Sequence, residues 1–175
     1  DIQTNWAAPI MPSDALLAIR EADEAKNKIE AAPVEPVYAN DGWPGTGGRL
    51  VAELQEEAEY NHETQKSAKA APYPKIDTLT VSVPVADAYV AAKAALEAAG
   101  MEIVTDNADT GQLEATATTG WFGFKDDVMV RIIPTAGMEG ALIDARSTSR
   151  VGLSDLGANS KRLRNLLDDI ERRVS

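Results

Sequence analysis

The stretch TGWFGFKDDVMVRIIPTAGMEGALIDARSTSRVGLSDLGAN, residues 119–159, decides how this chain is to be folded. It holds two alternating patterns separated by a turn. Val128, Val130 and Ile132 form the apolar row of the first, and Ile143, Ala145 and Ser147 mark the second. PTAGMEG (Pro134 to Gly140) closes the two into a hairpin. Successive side chains of a strand point to opposite faces. If the valine row faces a core, Asp127, Met129 and Arg131 face away from it, and so do Asp144, Arg146, Thr148 and Arg150 on the second strand. The hairpin therefore has one apolar and one charged face.

Working upstream, Leu79, Val81 and Val83 alternate with Thr80 and Ser82 as a half-buried strand. Val85 to Ala99 is alanine-rich, starts after Pro84 and stops at Gly100, which predicts a helix with small residues against a sheet. Met101 to Thr105 is a strand, DNADTG (Asp106 to Gly111) a turn, and Leu113, Ala115 and Ala117 the next strand. Downstream, Leu156, Leu163, Leu166, Leu167, Ile170 and Val174 recur at helical spacing from about Ser154 to Val174.

The order is β-α-β-β-β-β-α. Short turns pair successive strands antiparallel, and two helices need one sheet face to bury against. The expected architecture is a two-layer α+β domain over residues 76–175. It has an antiparallel sheet of about five strands with two helices on one face, in a helix-grip-like arrangement. Residues 1–75 read as an extension wrapping this core. DIQTNWAAPIMP has no sustained period, and Trp6 and Ile10 are its means of attachment. Ser13 or Asp14 can cap a helix over Ala15 to Lys28. Residues 31–48, rich in proline and glycine, read as a loop, and Arg49 to Tyr60 as an acidic helix.

Composition excludes more than it selects. The chain has 175 residues, 44% hydrophobic and 26% charged, as in ordinary globular domains. No run approaches the roughly 18 apolar residues of a membrane span. The chain opens on Asp1, which leaves room for a leader or membrane anchor upstream. With no cysteine, disulfides, thiolate catalysis and cysteine-ligated metals are ruled out. His62 is the single histidine, so a histidine triad or a multi-histidine metal site cannot form within the chain. No metal or cofactor is expected. GWPGTGGR (Gly42 to Arg49) lacks both the spacing and the Lys-Ser/Thr ending of a phosphate loop.

Net charge is −11, distributed unevenly. Residues 1–76 carry 13 acids and 7 bases, residues 77–120 carry 7 and 1, and residues 121–175 carry 8 and 9. Such a chain is a poor nucleic-acid binder. Seven of its nine arginines lie in the last third, where a local anion site can form.

The wording WFGF-K-DD-V-V-R followed by DARSTSRVG-SDLGAN is similar to the signature of a bacterial and plastid family, domain of unknown function 1499. Weaker likeness extends through YPKIDTL (Tyr73 to Leu79) and DIQT at the start. Relatives in that family often carry a leader or anchor, so the resemblance implies a periplasmic or cell-envelope location.

Three groups are candidate sites. Asp127, Arg131, Asp144, Arg146 and Arg150 share the face away from the helices. They form either a surface ion-pair ladder, worth about 0.2–1 kcal/mol per pair, or a floor of arginine forks for a carboxylate or phosphate ligand. Asp127 or Asp144 is expected to pair with Arg146 or Arg131, as register dictates. Trp121, Phe122 and Phe124 gather between Gly120 and Gly123 as core or as an exposed patch. Asp126, Ser147, Ser149 and Asn159 fall on the helix side and, with Asp155, are expected to form a structural hydrogen-bond network.

The leading reading is a non-catalytic binding or assembly module of the cell envelope, with a protein partner or a small anionic ligand. One alternative is an enzyme with an Asp/Arg site on the open sheet face. Another is a lipid or metabolite binder with a pocket between sheet and helices.

Overall fold

A computed structural model describes residues 1–32, 48–56, 74–120, 123–137, 139–152 and 157–175. In chain order they give β1 (Ile2–Gln3), α1 (Asp14–Ala22), β2 (Leu79–Val81), α2 (Val85–Ala98), β3 (Glu102–Asn107), β4 (Gln112–Thr118), β5 (Lys125–Pro134), β6 (Ala141–Ser149) and α3 (Ala158–Val174). Residues 51–56 are also helical. The protein is α+β, and from β2 to α3 the element order is the one expected from the hydrophobic pattern.

The sheet is antiparallel and open, with strand order β1-β6-β5-β4-β3. β2 also pairs with β6, so β1 and β2 lie end to end along one edge of that strand. Between them Thr4 continues the edge. Its N–H donates to the Ala145 carbonyl, and its hydroxyl accepts from the Ala145 N–H, both at 3.0 Å. The opposite edge, β3, is broken by a bulge between Ile103 and Thr105. A bulge of this kind discourages edge-to-edge pairing with another chain.

Helices α2 and α3 pack on each other and on β5 and β6. The core between the layers joins Leu113, Ala115, Val128, Val130, Ile132, Ile143 and Ala145 of the sheet to Ala88, Ala92, Leu96, Leu163, Leu166 and Ile170 of the helices. The alanines of α2 let that helix approach the sheet closely. Gly111 lets the turn before β4 approach the backbone of β5. Its φ is +70°, and a Cβ there would overlap the Ile132 carbonyl oxygen. The N–H of Ile132 in turn donates to the Gly111 carbonyl at 2.8 Å.

The second face of the sheet differs from the expectation of an open one. Residues 1–32 lie across it. Ile10 and Leu16 pack with Met129, and Ile29 and Val104 border them. The side chain of Ser13 caps α1 and ties it to β4, because Glu114 accepts from both the Ser13 N–H (2.7 Å) and the Ser13 hydroxyl. α1 is shorter than expected, ending at Ala22. The chain then returns to the sheet, where the N–H groups of Lys26 and Asn27 donate to the Arg150 carbonyl at 2.8 and 3.1 Å. Ile2 of this segment also enters the main core, as does Val51 from the helical residues 51–56.

Candidate functional site

Strand parity places Asp127, Arg131, Asp144, Arg146 and Arg150 together on the face beneath residues 1–32. The register then selects the partners. Arg131 stands opposite Asp144, and its Nη2 donates to Asp144 Oδ2 at 2.6 Å. Thr4 and Thr78 donate to the other oxygen of Asp144 at 3.0 and 2.5 Å. Asp127 stands opposite Thr148, which makes Arg150 its diagonal neighbour. Arg150 Nε and Nη2 donate to Asp127 Oδ1 at 3.1 and 2.6 Å, and Thr116 donates to the same oxygen at 2.9 Å. Arg20 of α1 closes the group from above, donating to Asp127 Oδ2 and to the Asn27 carbonyl.

Arg146 stands opposite Met129, so the expected pairing with Asp127 or Asp144 does not form. Its guanidinium collects the leading segment instead. Nε and Nη2 donate to Asp1 Oδ1 and Oδ2 at 2.9 and 2.5 Å. Nη1 donates to the Ile10 carbonyl at 2.9 Å and lies 3.9 Å from the Met11 sulfur, and Nη2 also donates to the Glu30 carbonyl at 2.8 Å. The Trp6 ring centroid is 5.6 Å from Cζ, a cation–π distance. Arg146 therefore ties the beginning, middle and end of the segment to one point on the sheet.

Four of the five are buried: Asp127 and Arg146 are 0% exposed, Asp144 and Arg150 2%, while the Arg131 side chain is a quarter exposed. The surface-ladder expectation is corrected on this point, because charges held out of water are not governed by the small energies of exposed pairs. Burial pushes the Arg146 guanidinium down to about 10. Burial likewise lowers Arg20, with Asp127 opposing the shift. At the rim, Asp23 accepts from Lys125 at 2.6 Å and also from Arg150. The Lys125 hydrogen bond is the largest cause that holds its carboxyl below the usual range.

The helix side carries the second group. Ser147 donates to Asn159 Oδ1 at 2.6 Å, and Asn159 Nδ2 donates to Ser149 at 3.0 Å. Arg162 joins them, donating to Asn159 Oδ1 at 2.5 Å and to Asp126 Oδ2 at 2.6 Å. Asp126 is thereby neutralised at the layer boundary. Asp155, the fifth residue expected here, lies outside the described residues, as do Trp121, Phe122 and His62. Phe124 is half exposed.

Sequence reasoning missed Arg20, Asp1, Asp23, Glu114 and Arg162. Arg20 had a legible signal, since it lies four residues after Leu16 on the one buried stripe of α1. Arg162 lies three residues after Asn159, at the border of the buried stripe of α3, and had a weaker one.

A groove of about 380 Å³ runs between residues 75–79 and α3, floored by Ile76, Leu79 and Leu167 and rimmed by Lys75, Asp77, Arg164, Asp168 and Glu171. Among the described residues no group of three or more acids or histidines is placed to hold a metal ion. No helix among them is long and apolar enough to cross a membrane.

The family model described as "Protein of unknown function (DUF1499)" matches residues 50–170. No curated protein matches the chain.

Proposed function

The chain belongs to the DUF1499 family, and from that premise we propose that it is a non-catalytic binding or assembly module of the bacterial cell envelope. One observation carries the reading: the Asp/Arg group is occupied from within. The donors of Arg146 go to Asp1, Ile10, Glu30 and Met11, and Arg150 is held by Asp127, Thr116 and Asp23. A catalytic cluster needs groups that meet a substrate and a titratable group poised to move a proton. These guanidinium and carboxylate groups instead neutralise one another out of water. Their work is to hold residues 1–32 on the sheet, which gives the protein a rigid body and leaves its outer surface for contacts. A single histidine and no cysteine point the same way.

Placement in the envelope rests on the family resemblance, and the absence of cysteine is compatible with an oxidising compartment. Fractionation of cells producing the full-length gene product with a tag after α3 tests both parts. Recovery from the periplasmic or membrane fraction, in a complex heavier than the chain alone, is the expected result. Recovery as a cytosolic monomer would overturn it.

A further inference from the structure

We propose that Arg146 and Thr148 form a carboxylate-recognition site that the chain fills with its own Asp1. The ligand that fits is the carboxylate of an acidic side chain on an extended segment running along β6. The Asp1 side chain is bound as a ligand is bound. Oδ1 accepts from Arg146 Nε at 2.9 Å and from the Thr148 hydroxyl at 2.7 Å, while Oδ2 accepts from Arg146 Nη2 at 2.5 Å. This is the two-pronged geometry with which a guanidinium selects a planar carboxylate over a spherical anion.

The fork does not depend on Asp1 for its position. The carbonyls of Ile10 and Glu30 hold Nη1 and Nη2 at 2.9 and 2.8 Å, and the Trp6 ring lies 5.6 Å from Cζ. Remove the Asp1 side chain and the Nε edge still points at the same place, with Thr148 beside it. Asp1, by contrast, sits next to a strand of only two residues, which pairs with β6 through Ile2–Ser147 and Gln3–Arg146 and is continued by Thr4 on Ala145. A preorganised receptor facing a short, separately tethered ligand is the arrangement in which a free ligand can stand in for the bound one.

The side chain that Asp1→Gly deletes is an acetate in shape and charge, which supplies the test. The full-length Asp1→Gly chain is heated in sodium acetate, sodium chloride and acetamide at matched ionic strength. Acetate should raise Tm saturably, chloride and acetamide should not, and the wild-type chain, its site already filled, should show no acetate-specific rise. Adding Thr148→Val should weaken the acetate effect about tenfold, the loss of one charge-assisted hydrogen bond. Equal effects of acetate and chloride on the variant, or an equal acetate rise in wild type, would overturn the proposal. If Asp1→Gly is unfolded in chloride, the same titration reads recovery of folded signal, and failure of acetate to restore it counts against the site equally. The titration reads the site alone, so its outcome is separable from that of the envelope reading.

Discussion

Arg150, the residue after β6, lies diagonally across from Asp127 of β5 and holds both of its oxygens, with Nε 3.1 and 3.0 Å from Oδ1 and Oδ2 and Nη2 2.6 Å from Oδ1. Arg20 approaches the same carboxylate from α1. Two guanidinium groups thus share one buried anion, and the cover over this face depends on it. Asp127→Ala leaves both cations out of water without the anion they share, which costs about 3–5 kcal/mol. Urea unfolding should show that loss. A change below about 1 kcal/mol, the range of an exposed pair, would mean that the network is open to solvent.

Arg146→Met should cost about 3 kcal/mol or more, because Asp1 and the Ile10 and Glu30 carbonyls lose their shared donor. The loss is local in its structural effect, since the contacts removed all belong to residues 1–32. Limited proteolysis should cut that segment in the variant while residues 79–174 stay protected. Uniform digestion of the whole chain would argue that Arg146 supports the sheet itself.

The hairpin, the helix order and the two faces were legible because hydrophobic periodicity reports which side chains leave water. Val128, Val130 and Ile132 alternate, and the structure buries that row under α2 and α3. The cover on the other face was not legible, for a physical reason. Beyond the Ile10 and Leu16 contacts with Met129, residues 1–32 attach through backbone carbonyls at Ala8, Ile10 and Glu30, and through the charges of Asp1 and Arg20. Carbonyls carry no sequence signal, and the spacing of Arg20 from Leu16 marks a shared helix face without saying which carboxylate the guanidinium meets. Partner choice among the expected pairs was equally hidden, because it depends on register: Arg131–Asp144 is direct, whereas Arg146 faces Met129.

Asn159→Ala removes the acceptor that Ser147 and Arg162 share and the donor to Ser149. Leaving buried polar groups unsatisfied costs about 1–3 kcal/mol. Thermal unfolding should report it, and Asn159→Asp, which keeps the acceptor beside Arg162, should recover part of the loss. A stable alanine variant would show that water replaces the amide.

Asp23 sets part of the acid response. Lys125 and Arg150 hold its carboxyl below the ordinary value of 3.8. A group whose folded pKa is depressed contributes stability that is present above its unfolded pKa and lost as pH falls through the folded one. Asp23→Asn should therefore lower stability at neutral pH and flatten the stability curve below 3.8. Stability curves of wild type and variant that stay parallel through that range would remove Asp23 from the acid response.

A chain starting at Tyr73 should fold on its own. Among the described residues the core between sheet and helices is built almost wholly from later ones, with Ile2 and Val51 buried in it from before that point and Trp6 packed against it. Removing the leading segment strips the other face, but what it uncovers is mostly Glu114, Asp127, Asp144, Arg146 and Arg150, with Met129 and Val104 the apolar exceptions. Charges returned to water regain their hydration, whereas an apolar face would aggregate. The truncated chain should therefore fold cooperatively, at lower stability than the full one, and keep near-UV circular dichroism from Tyr89, whose ring is buried against the main core. A molten spectrum with intact far-UV signal would show that Ile2, Val51 and the segment over Met129 are part of one indivisible core.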